Sequence, residues 1–92
     1  MPQQRVVRTI IIADQQGLHL RQAVECAQAA GRYQSQIILV SGERRAENCR
    51  SPFEILQLGA GYGAAVTIEA TGPDAEQAVE EIAAILSRQT SH

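Results

Sequence analysis

Ninety-two residues with 45% apolar side chains suffice for one compact domain, residues 1–92, and leave no room for a second core. A net charge of −2 supplies no broad attraction to nucleic acid or an anionic membrane. No apolar run approaches the roughly 20 residues of a membrane span, and no charged leader followed by an apolar stretch opens the chain. The expectation is a soluble cytoplasmic protein with no nucleic-acid partner and no membrane insertion.

Arg5 to Ala13 (RVVRTIIIA) is rich in β-branched residues and reads as a strand, followed by loop chemistry in Asp14 to Gly17 (DQQG). From Leu20 to Ala30 the composition turns helical, with Ala23, Cys26, Ala27 and Ala30 at helical spacing, Gly31 as the stop and His19 at the entrance. Ser35 to Val40 predicts a second strand, Ser41-Gly42 a turn, and Glu43 to Glu47 a short edge strand. Ser51-Pro52-Phe53-Glu54 combines a capping serine, a first-turn proline and a third-position glutamate, a capping box that predicts a helix to about Leu58. Ile55 and Leu58 belong to the core. After the loop Gly59 to Gly63, Ala64 to Ala70 alternates as a half-buried strand. Asp74 to Arg88 predicts the last helix, with Ala75, Ala78, Val79, Ile82, Ile85 and Leu86 on one face. Its acids Asp74, Glu76, Glu80 and Glu81 read as a solvated face. Four strands with segregated helices imply the α+β class, a helical layer on one face of a largely antiparallel sheet.

Several chemistries are excluded or disfavoured. All eight basic residues are arginine, so a lysine Schiff base or phosphate-loop lysine is impossible. Cys26 and Cys49 are too few for a disulfide framework or zinc site and read as reduced thiols, with a redox pair as the minor alternative. Gly59 to Ala64 fits G-x-G-x-x-A, but a dinucleotide loop must follow a strand and open a helix, whereas here the predicted order is reversed. No catalytic triad and no metal cluster is visible, and no cofactor is implied.

His19 stands apart, because the other histidine, His92, is the last residue and reads as tail. A side chain just before a helix faces backbone N–H groups without intrahelical acceptors and the positive end of the helix dipole, which together attract anions. A neutral imidazole nitrogen is a nucleophile, and Arg21 in the first turn adds a fork suited to phosphate oxygens. These features describe a place to put a phosphoryl group; a surface histidine acting as an indifferent cap is the plainer reading.

The motif GLHLR, Gly17 to Arg21, resembles the G-L-H-x-R-P-A signature of the HPr family, the histidine-containing phosphocarriers of the phosphoenolpyruvate-dependent sugar phosphotransferase system. The resemblance spans nearly the whole chain, through RSPFEILQLG and the last strand and helix. It implies an open-faced β-sandwich, with three helices covering one face of a four-stranded antiparallel sheet. It further implies that His19 Nδ1 accepts a phosphoryl group from phosphorylated enzyme I and passes it to a sugar-specific enzyme IIA, with Arg21 pairing with the phosphate. Ser51 lies where several bacterial members carry a regulatory serine phosphorylated by HPr kinase/phosphorylase, although a cap alone also explains a serine there. Leu20, Pro52, Phe53 and Leu56 resemble the apolar docking patch around the family's histidine. Two departures stand out: Gln22 replaces the signature proline, which implies a less preset first turn, and Gln28 and Glu54 stand where many members have lysines. Both suit a divergent member. The competing reading is an HPr-like regulatory module that binds a transcription factor or enzyme; an autonomous small enzyme fits least, since a general acid–base partner is missing.

Overall fold

The structure, a computed structural model, describes residues 4–88; His92 lies outside the described residues. Its elements follow the predicted order: β1 (Gln4–Ile11), α1 (Leu20–Gly31), β2 (Gln36–Ser41), β3 (Arg44–Ala46), α2 (Pro52–Leu56), β4 (Ala65–Gly72) and α3 (Ala75–Leu86). The four strands form one sheet in the order β1-β4-β2-β3, with every neighbouring pair antiparallel. Because β4 is antiparallel to both β1 and β2, those two run parallel, and α1 is the crossover between them. The β2–β3 hairpin closes between Ser41 and Arg44, with Gly42 at φ +61° in the first central position, where a primed turn needs a positive φ.

Alternation in the strands decides which face is covered. Ile37 and Leu39 of β2 and Val66, Ile68 and Ala70 of β4 are buried in one core with residues of α1 and α3, while Thr9, Thr67 and Glu69 lie on the opposite, uncovered face. There Thr9 Oγ1 and Thr67 Oγ1 meet at 2.9 Å and Arg5 approaches Glu69 at 3.6 Å. The helices differ in what they bury: α1 presents the small residues Ala23, Cys26, Ala27 and Ala30, and α3 presents Ala75, Ala78 and the larger Val79, Ile82, Ile85 and Leu86. Ile55 and Leu58 complete the core below α2, as expected. This aliphatic core contains no aromatic ring, and Phe53 is 72% exposed, which makes its position on the surface informative.

Several local expectations are corrected. β1 stops at Ile11, and Ile12 turns inward outside the strand, completely buried. Gly31 is helical and does not take a left-handed conformation; the cap is Arg32, whose N–H donates to the Ala29 and Ala30 carbonyls. The acids of the last helix are not all idle. Asp74 accepts from Gln34 N, Ser35 N and Ser35 Oγ, and Glu81 binds Arg32 and the Tyr33 hydroxyl. Cys26 and Cys49 are free and buried, and burial is the main reason both thiols are pushed up to about 12, which keeps them protonated and unreactive.

Candidate functional site

His19 is positioned by two loops that fasten to each other. Asp14 to Gly17 forms a tight turn: Gly17 N donates to the Asp14 carbonyl at 2.8 Å, and Gln16 N donates to Asp14 Oδ1 at 2.9 Å. Gly17 has φ +76°, and a Cβ there would fall 2.9 Å from Gly61 Cα and 3.0 Å from the Ala60 carbonyl oxygen. Both its handedness and the space around it therefore require glycine. Leu18 N then donates to the Ala60 carbonyl, while Ile12 and Gly63–Ala64 are joined by two further backbone bonds. The glycine-rich segment thus supports the histidine loop. It follows α2 and precedes β4, the reverse of what a dinucleotide loop needs.

From this support the chain enters α1 at His19, whose extended backbone (φ −115°, ψ 173°) makes it the N-cap. Its carbonyl accepts Ala23 N at 3.0 Å, but its imidazole makes no capping bond to the helix. The N–H groups of Leu20, Arg21 and Gln22 have no carbonyl four residues back within α1 and point toward the space in front of it. Arg21 is exposed, in the first turn, with no ion pair among the described residues. No acidic residue occupies that turn. The imidazole is 20% exposed, and its Nε2 lies 3.4 Å from Oδ2 of Asp14, whose side chain is only 4% exposed. That arrangement directs Nε2 into the protein.

Arg21 stands in the first turn of the helix that His19 caps, and Asp14, which reads from the sequence only as loop, is the side chain that reaches the His19 ring. The signal available for it was weak: an aspartate opening a turn five residues before a histidine. Gln22 is also different from expectation. It is 1% exposed, and its Nε2 donates to the carbonyls of Ile85 (3.2 Å) and Arg88 (3.3 Å) at the end of α3. Its side chain ties α1 to the last helix, helped by an ion pair between Arg88 and Glu25, while the buried Oε1 of Gln22 has no hydrogen-bond partner.

At α2, Ser51 is the N-cap and its hydroxyl accepts Glu54 N at 3.4 Å. The capping box is only half made, because the Glu54 carboxylate accepts Glu47 N and Asn48 N, each at 2.7 Å, and Ser51 N donates to the Asn48 carbonyl. Leu20 and Phe53 are exposed, while Pro52 and Leu56 are half-buried, Leu56 packing against the core. Since α1 and α2 pack together, these four belong to one helical layer. Among the described residues no helix is long and apolar enough to cross a membrane, and no group of three His, Cys, Asp or Glu could hold a metal ion.

Comparison with known proteins gives a consistent picture. Residues 6–88 match the family described as the PTS HPr component phosphorylation site. The chain is 30% identical to the phosphocarrier protein HPr of Cupriavidus necator over 82 residues, 89% of this chain and 91% of that one. It is 32% identical to the phosphocarrier protein NPr of Shewanella violacea over 82 residues, 89% of each. The crystal structure of HPr from Bacillus anthracis superposes with a TM-score of 0.81 at 30% identity, covering 89% of this chain and 96% of that one. With its open four-stranded antiparallel sheet under three helices and a histidine at the first helix entrance, the chain belongs to the HPr family, the phosphocarriers of the phosphotransferase system.

Proposed function

We propose that this chain carries a phosphoryl group on Nδ1 of His19, received from phosphorylated enzyme I and passed to a sugar-specific enzyme IIA in the cytoplasm. What supports the reading above all is the entrance of α1: a histidine whose imidazole makes no capping bond to the helix, with Arg21 exposed in the first turn and first-turn N–H groups lacking intrahelical acceptors. Transfer between two histidines moves a dianionic group in line between nitrogens. It calls for positioning and compensation of charge, which backbone amides and one arginine supply. An open helix mouth also suits a carrier better than a deep pocket, since a phosphate held too firmly would not move on.

Docking of both partners falls to Leu20, Pro52, Phe53 and Leu56. Phe53 is the strongest candidate for an anchor, being the chain's one phenylalanine and largely in solvent. Ser51 is the candidate for regulation by HPr kinase/phosphorylase. A phosphate there would add charge beside the docking residues at a helix start that tolerates it, so it would alter partner binding and leave the fold intact.

The deciding experiment incubates the protein with enzyme I, Mg²⁺ and labelled phosphoenolpyruvate, comparing wild type with His19→Ala. Acid-labile label on wild type and none on the variant is the expected result. Absence of label on wild type, with the same enzyme I active on another acceptor, would overturn the carrier reading. Partner binding that survives His19→Ala would then favour a regulatory module.

A further inference from the structure

A phosphate-binding helix mouth has no need of a buried carboxylate, yet Asp14 sits beneath the His19 ring. Its side chain is 4% exposed, and Oδ2 lies 3.4 Å from Nε2. The turn uses the Asp14 carbonyl, which accepts Gly17 N, and Oδ1, which accepts Gln16 N. Neither requires the second oxygen: an asparagine would close the same turn through its single acceptor. The extra oxygen, and the charge it shares, is directed at the ring. A carboxylate shielded from water is stable only against donors, and an Nε2–H is a donor suited to that place.

Resting on the reading of His19 as phosphoryl acceptor, we propose that Asp14 is a positioning residue that keeps the ring proton on Nε2 throughout the transfer cycle. In the neutral ring Nε2 then carries the hydrogen and Nδ1 the lone pair. Attack forms the Nδ1–P bond as the bond from phosphorus to the donor's histidine nitrogen breaks, its electron pair leaving with the donor. The ring now bears Nδ1–P, Nε2–H and one positive charge, which the Asp14 carboxylate faces. Onward transfer breaks Nδ1–P, returns its electron pair to the ring and restores the starting tautomer. No proton moves in either direction. With the hydrogen on Nδ1, by contrast, each cycle would begin with its removal.

Asp14→Asn separates this role from the turn. The amide oxygen still accepts Gln16 N, but the NH₂ group is then presented to Nε2 and favours the opposite tautomer, with hydrogen on Nδ1. The test records long-range ¹H–¹⁵N spectra of the unphosphorylated ¹⁵N-labelled protein, at a pH where those spectra show His19 neutral, and in parallel the rate of phosphorylation by enzyme I. Wild type is expected to show mainly Nε2–H. In Asp14→Asn the balance moves toward Nδ1–H and phosphorylation slows by about tenfold or more, as when a histidine is held in the wrong tautomer. Asp14→Ser, whose hydroxyl can still accept Gln16 N, provides a second variant should the first fail to fold.

A wild-type ring with hydrogen mainly on Nδ1 overturns the proposal whatever the variants do. So does a folded Asp14→Asn with unchanged tautomer and rate, while phosphorylation of His19 itself remains intact. A wild type that takes no phosphoryl group overturns the carrier reading instead, and the spectra, which need no phosphate, still decide what Asp14 does to the ring.

Discussion

The entrances of α1 and α2 both start from a cap residue in extended backbone and are finished in opposite ways. His19 and Ser51 are both extended, at φ −115° and −106°, and each is followed by a helical turn. At α2 the serine hydroxyl accepts Glu54 N, Pro52 removes one orphan donor, and an acid stands in the first turn. At α1 the cap side chain turns away from the helix, no acid is present, and an arginine takes the first turn instead. One entrance is closed for stability. The other leaves its first turn without a side-chain cap and sets an arginine in it, as the proposed phosphoryl site requires, giving up about 1 kcal/mol of the capping energy that a serine or aspartate would supply. Such a forgone interaction is what a functional site looks like when stability and activity compete.

The largest expected effect on this contrast comes from beneath the open entrance. Gly17→Ala puts a methyl group into a left-handed turn, 2.9 Å from Gly61 Cα and 3.0 Å from the Ala60 oxygen, against backbone that cannot swing aside. A loss of about 2–3 kcal/mol is expected in urea unfolding, together with slower phosphorylation of His19 in the folded fraction. A variant as stable as wild type would mean that the two loops are not a rigid support. At the closed entrance the effect is smaller and of another kind. Ser51→Ala removes the acceptor for Glu54 N and should cost about 1 kcal/mol, with His19 phosphorylation unaltered. A change in that rate without a change in stability would show that the two entrances are coupled.

How much of this was legible in the sequence follows the range of the interactions. The helical spacing of alanines after His19 located the entrance and placed Arg21 in its first turn, because both depend only on residues within one or two turns. Alternation in Ala64 to Ala70 likewise gave the buried face of β4, where Val66, Ile68 and Ala70 are all buried. Partners distant in sequence were not legible. Glu54 looked like half of a capping box, but its carboxylate is taken by Glu47 N and Asn48 N in the loop before the helix. Gln22 looked like the loss of a rigid proline, yet its donors meet carbonyls 63 and 66 residues away. The approach of Asp14 to the His19 ring spans only five residues, but it depends on the turn between them, which residue types alone did not specify.

A third entrance sharpens the comparison, with the smallest expected effect. Asp74 is the N-cap of α3 and, like His19, makes no side-chain cap to its own helix. Its carboxylate is occupied elsewhere: Oδ1 accepts Ser35 Oγ and Ser35 N, and Oδ2 accepts Gln34 N, fastening the loop before β2. The Ser35 hydroxyl first, and the Gln34 N–H next, hold the Asp74 carboxyl below its ordinary value of 3.8. A carboxyl lowered in the folded state contributes stability that is complete above its unfolded value and fades as pH falls through the folded one. Asp74→Asn, which cannot accept all three bonds, should therefore be less stable than wild type at neutral pH, by a margin that stays constant down to the ordinary carboxylate range and shrinks below it. Urea midpoints of both proteins across that range measure the margin. A margin that persists undiminished into strong acid would mean that the charge on Asp74 is not what secures the loop, and the resemblance between the α1 and α3 entrances would then be closer than their side chains suggest. If the margin closes as expected, the α3 entrance goes without a side-chain cap because its carboxylate is spent on the neighbouring loop, whereas at α1 the cap side chain is an imidazole set against Asp14.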